Sequence, residues 1–144
     1  MGKAFSDRAP AAPYQIERNP TNPGLCDIVM FTGVTVSGPE EAPLYTYRVH
    51  RIANWRWRPN LEADVESHFA EWLEMAVRLE ADALSMELRA QRDALLAASE
   101  PHMLPDFPQT DEQRAAWETY RQALRDVPEQ AGFPFEVVWP DAPA

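Results

Sequence analysis

An α+β fold is predicted: an N-terminal extended arm and β-hairpin, one long central helix, and a short C-terminal helix followed by an edge strand or extended arm. Three observations predict it. Two stretches rich in β-branched and aromatic residues, LCDIVMFTGVTVS and LYTYRVHRIANWRW, flank a connector full of turn formers. Residues 61–98 contain neither glycine nor proline. The 14 prolines are absent from residues 60–100 and 109–127, so they bracket two helical blocks.

Residues 1–24 are expected to form an extended proline-rich arm, with Pro10, Pro13, Pro20 and Pro23 among small and polar neighbours. Order in such a segment requires a surface to hold it. Residues 25–59 are expected to form the hairpin, Gly33 marking a bulge or an extra turn. Two strands alone are marginal in water, so one face needs a helix or another chain across it. Arg48, Arg51, Arg56 and Arg58 are interleaved with Trp55 and Trp57. Alternating rings and guanidinium groups suit a single-stranded nucleic acid, because bases stack on the rings while cations meet phosphates. The competing reading has the tryptophans closing the strand-to-helix corner, or anchoring a protein interface, while the arginines pair with the acidic helix that follows.

Residues 60–98 are expected to form one helix capped by Asn60, with Glu62 and Asp64 in its first turn. At about 1.5 Å per residue it would be close to 60 Å long if unbroken. Val65, Phe69, Trp72, Ala76, Leu79, Ala83, Met86 and Ala90 step by alternating fours and threes, a heptad row, and Leu73, Val77, Leu84, Leu88 and Leu95 form a second row beside it. The two rows have two solutions: one packs inside the monomer while the other meets a symmetry mate, or a single monomer absorbs both.

After a stiff connector carrying Pro101, Pro105 and Pro108, a second helix starts at Thr110. Gln113 stands in capping-box position, with Asp111 and Glu112 at the positive end of the dipole. Trp117, Tyr120, Leu124 and Val127 share one face, flanked by Arg114, Arg121 and Arg125. Pro128 ends the helix and biases Val127 away from helical angles. In the tail FPFEVVWP, alternation places Phe133, Phe135, Val137 and Trp139 on one side, and Pro134 and Pro140 forbid a central strand.

The order RDALLAAS, a proline-containing linker, TDEQRAAWETYRQALRDVPEQ and FPFEVVWP resembles the C-terminal signature of the phage tail assembly chaperone family, the small tail-fibre assembly proteins. The resemblance runs from Arg92 to Pro140, roughly the last third of the chain, and residues 99–144 are expected to form a C-terminal region of that kind. One departure stands out: Ser99-Glu100-Pro101 occupies the place where family members often carry Thr-Asp-Trp. The resemblance implies a non-enzymatic protein that binds a tail-fibre or baseplate protein in the bacterial host cytoplasm and assists its folding or attachment. A permanent structural subunit of the virion tail is the alternative, and nucleic-acid binding through residues 48–58 the second.

Composition agrees with a protein-binding role. The chain has 144 residues and a formal net charge of −10, which opposes wholesale binding to nucleic acid or anionic membranes. No apolar run approaches the roughly 20 residues that cross a bilayer, and the start lacks the apolar core of a signal peptide. Gly2 and Ser6 match a myristoylation start only loosely. Cys26 is the single cysteine, so an intramolecular disulfide and a cysteine zinc site are excluded; a buried apolar role suits it better than a nucleophilic one. His50, His68 and His102 sit on different predicted elements, and His68 with Glu71 and Glu74 lacks the repeated Glu-x-x-His of a carboxylate-bridged metal site. Phosphate loop, dinucleotide fingerprint and hydrolase elbow are all missing. Hence no catalytic residue, metal or cofactor is expected. The residues expected to bind a partner are Trp117, Tyr120, Arg121, Leu124, Arg125, Phe133, Phe135 and Trp139, with Trp55 and Trp57; for Trp117 and Tyr120, packing against the tail is the alternative.

Overall fold

Four strands, β1 (Gly2–Ser6), β2 (Tyr14–Arg18), β3 (Leu25–Ser37) and β4 (Leu44–Arg56), form one antiparallel sheet in the order β1-β4-β3-β2. The computed structural model describes residues 2–143; Met1 and Ala144, the outer ends of the expected arm and C-terminal region, lie outside the described residues. The chain divides into two compact units, residues 1–80 and 81–144.

In the first unit the expected hairpin is β3 and β4. Its N-terminal neighbour is extended as expected, and the surface that holds it is the chain's own hairpin. β1 pairs with residues 45–49 of β4, and β2 with residues 26–30 of β3. The open edges of a hairpin carry unpaired N–H and C=O groups, which these short strands satisfy. All four arm prolines fall outside the two strands, where no ladder bond is needed.

Gly33 adopts a left-handed φ of 60° at a register shift in β3, which is the expected bulge. Asn54 makes a second one at φ 54°, and its backbone N–H donates to Asp27 Oδ1 at 2.9 Å. That bond, with one from Arg51 Nη1 to Oδ2 at 2.7 Å, holds the Asp27 carboxyl below its ordinary range.

One face of the sheet carries Cys26, Ile28, Met30 and Ile52, all buried against Leu61 and Val65 of α1 (Leu61–Ser67) and Trp72 and Ala76 of α2 (Phe69–Ala98). The long helix expected over 60–98 is present with one interruption, at His68, although no glycine or proline is there. His68 leaves helical geometry at φ −124°, ψ 34°. Ser67 Oγ donates to the carbonyl of Ala63, four residues back, a local bond that bends helices. Asn60 precedes α1, but its side chain makes no cap bond.

The second unit comprises the later turns of α2, a 3-10 turn over Glu100–Met103, α3 (Asp111–Asp126), a 3-10 turn over Val127–Glu129, and the tail. The start of α3 is as expected. Thr110 Oγ1 accepts from the Gln113 N–H at 3.2 Å, while Gln113 Oε1 accepts from the Thr110 N–H at 2.9 Å. Its end differs in detail. Val127 keeps helical angles of −50° and −45°, because the chain tightens into the 3-10 turn and Pro128 enters that turn where its missing N–H costs nothing.

Candidate partner-binding surface

The face of α3 predicted for partner contact is largely turned inward. Tyr120, Leu124 and Val127 are buried. Trp117 is half-buried, with the imidazole of His102 lying flat on it at 3.8 Å and 11° between planes, and Tyr120 against its edge at 5.6 Å. Phe107 closes the other side of His102 at 4.5 Å. These aromatics form a small core between α3 and the connector, since aromatic contacts bury large areas in fixed geometry.

Two of the three α3 arginines are committed to carbonyl oxygens. Arg121 Nη1 donates to Leu96 O at 2.6 Å and to Ser99 Oγ, and Arg114 Nη2 donates to Leu104 O at 3.0 Å. Ser99 is buried, and its bond from Arg121 ties the end of α2 to α3. Arg125 is exposed.

The tail is an extended arm and forms no strand. Residues 131–136 turn back on themselves, with the Glu136 N–H on Gly132 O at 2.7 Å and a cis bond before Pro134. A Cβ on Gly132 would come within 2.7 Å of Glu136, so glycine is required there. This turn interrupts the alternation expected for the tail: Phe133 and Trp139 are half-buried, while Phe135 is 41% exposed. The Arg89 guanidinium sits 5.3 Å over the Phe133 ring. Beyond the turn, Gln130 acts as a substitute strand: its Nε2 donates to Val138 O at 2.8 Å and its Oε1 accepts from the Val138 N–H at 2.9 Å. The Val138 side chain is left 76% exposed.

Trp55 and Trp57 lie in the first unit, partly buried against the core. Trp55 meets Trp72 edge-on at 5.1 Å, and the Arg18 guanidinium lies 3.8 Å over Trp57. Arg51 pairs with Asp27 and Glu17, and Arg58 with Asp64. Of the rings and cations considered for a nucleic acid, both tryptophans, Arg51 and Arg58 are thus engaged with other side chains, while Arg48 and Arg56 are exposed and belong to no ion pair among the described residues. His50 is buried, its Nε2 3.0 Å from Thr32 Oγ1 and its Nδ1 3.3 Å from Glu80 Oε2. Burial also raises the Cys26 thiol above its ordinary pKa, which disfavours the thiolate.

His102, Ser99 and Gln130 are contact-makers that the sequence reading passed over. The only signal in sequence was the clustering of His102 with Met103, Leu104 and Phe107 in the connector.

The C-terminal part of the chain, residues 85–144, matches the family model described as phage tail assembly chaperone protein. The match covers the later turns of α2, the connector, α3 and the tail, and supports a general role in phage tail assembly. Neither the curated proteins nor the solved structures gave a match. No helix among the described residues is long and apolar enough to cross a membrane.

Proposed function

We propose that this chain is a non-enzymatic assembly factor that binds a tail-fibre or other receptor-binding protein of a bacteriophage in the host cytoplasm and assists its folding or attachment. The observation that carries this reading is the family match over residues 85–144. Within that span Arg125, Phe135 and Val138 are exposed beside half-buried Trp117, Arg121, Phe133 and Trp139. Exposed apolar and arginine side chains backed by a fixed aromatic layer are what interface hot spots are made of. Tyr120 and Leu124 of α3 are buried.

Co-expression with a tail-fibre gene of the same phage tests the proposal. The yield of soluble, trimeric fibre is expected to rise with the intact chain and to fall back with Phe135→Ala combined with Val138→Asp. Equal yields with and without the chain would reject it.

A permanent place in the virion is the second reading, favoured by one feature of α2. Ala83, Met86 and Ala90 of the heptad row are exposed, Met86 by 73%, which offers a seam for a symmetry mate. Mass spectrometry of purified particles separates the two readings: a stoichiometric copy number supports the second, and absence supports a transient chaperone.

A further inference from the structure

We propose that the free outer edge of β3 over residues 33–37 accepts a β-strand from an extended, acid-bearing segment of a partner protein. This surface lies outside the span matched by the family, and the inference does not depend on what the C-terminal face binds.

Besides the short outer edges of β1 and β2, the hairpin β3-β4 leaves two half-edges bare among the described residues. β1 stops opposite Val49, so the later part of β4 has no outer neighbour; β2 stops opposite Met30, and after one further bond from the Phe31 N–H to Pro13 O at 2.8 Å, β3 has none. The two bare stretches differ in how they are guarded. That of β4 carries Arg51 and Arg56 and has the Asn54 bulge in its middle, two devices that discourage strand addition. That of β3 reads Gly-Val-Thr-Val-Ser, uncharged, free of proline and exposed throughout, with Val34 48% and Val36 63% accessible. Its Gly33 bulge comes at the start, and regular pairing with β4 resumes from Thr35 to Ser37, so the edge beyond it is a straight template.

The neighbouring sheet surface specifies the occupant. Lys3 and Arg48 are direct cross-strand partners on β1 and β4, and neither belongs to an ion pair among the described residues. Like charges placed opposite one another destabilise a sheet, and an acid from outside would relieve them. Residues 1–58 hold seven basic and five acidic side chains, net +2, in a chain whose total is −10. An added strand would lie two strand spacings, about 10 Å, from β4 and three, about 14 Å, from β1, so its glutamates meet Arg48 directly and act on Lys3 through the charge they neutralise there. On the opposite face exposed Val36, paired with Tyr45 of β4, takes the apolar residues that alternate with the acids.

The test uses the full chain and synthetic peptides of about ten residues, a little longer than a common strand. One alternates Glu with Val and Thr, a second has Lys in place of Glu, and a third keeps Glu but has a central proline. Two signals are read: amide exchange over residues 33–37 and acetylation of Lys3, the only lysine in the chain. The Glu peptide is expected to slow exchange at residues 33–37, to shield Lys3, and to bind at least about tenfold more tightly than its Lys twin at low salt, the gap narrowing as salt rises. The proline peptide should not bind, and Val34→Glu with Val36→Glu should abolish binding of the Glu peptide while circular dichroism stays unchanged. Unaltered exchange at residues 33–37 with the Glu peptide, or equal binding of the Lys twin, overturns the proposal. So does protection without peptide that grows with protein concentration, since the occupant would then be a second copy. Resonances of Phe135 and Val138 serve as the control, because a response confined to them would report on the C-terminal face alone.

Discussion

His102 and Trp117, fifteen positions apart in sequence, are stacked with ring centroids 3.8 Å apart and planes 11° from parallel. The connector and α3 are joined at this point. Replacing Trp117 with Ala should cost about 2–4 kcal/mol, toward the lower part of the range for large aromatic truncations because the ring is only half-buried. Replacing His102 with Ala should cost less. A double-mutant cycle read by urea denaturation should return a coupling of about 0.5–1.5 kcal/mol, and additivity would show that the stack contributes only buried area.

Arg121 offers a sharper test of an arginine that looks like an interface residue but is used internally. Its guanidinium meets both Leu96 O and Ser99 Oγ. Lysine cannot reproduce a planar fork, so Arg121→Lys should destabilise almost as much as Arg121→Ala, by about 1–3 kcal/mol in urea titrations. Full rescue by lysine would mean that charge alone matters there.

Gln130 holds the tail through a pair of side-chain bonds to Val138. Gln130→Ala should raise the exchange rate of the Val138 amide by about tenfold, the equivalent of about 1.4 kcal/mol of local protection, while the global unfolding midpoint moves little. An equal loss at every amide would show instead that the tail unfolds with the rest of the unit.

Asp27 predicts a pH dependence. Its carboxyl pKa is lowered in the folded protein, first by the Asn54 backbone N–H and then by Arg51, from an ordinary 3.8. A depressed folded pKa means that the ionised form is favoured by folding, so the stabilisation is complete above the ordinary value and is lost as pH falls through the folded one. The gap in urea midpoint between wild type and Asp27→Asn should therefore be constant from pH 5 upward, within about a unit of the ordinary value, and close as the solution becomes more acidic. A gap that persists unchanged in acid would assign the effect to geometry.

Met86 tests self-association. Substitution by Glu at this exposed position should leave the unfolding free energy within about 0.5 kcal/mol of wild type. If α2 packs on a symmetry mate, light scattering should show the mass falling to that of a monomer. An unchanged mass would remove the heptad row from any assembly.

Much of this chain was legible from local chemistry. The hairpin followed from β-branched texture on either side of a turn-forming connector, and the start of α3 from a capping box complete within four residues. Both depend on neighbours in sequence, so sequence alone fixes them. Tertiary structure decided matters that depend on distant partners. Proline content suggested an unpaired arm, yet the bare hairpin edges recruited its two proline-free segments as strands. The heptad row on α2 looked uniform by spacing, but its first residues are buried under the sheet while Ala83, Met86 and Ala90 are exposed. Which of the arginines and aromatics face water was equally beyond the sequence, since Arg121 and Arg125 share a type and a helix and only three-dimensional packing gives one a carbonyl and leaves the other exposed. Periodicity states which residues share a face; what covers that face is set by chain segments far away in sequence, and no local propensity encodes their arrival.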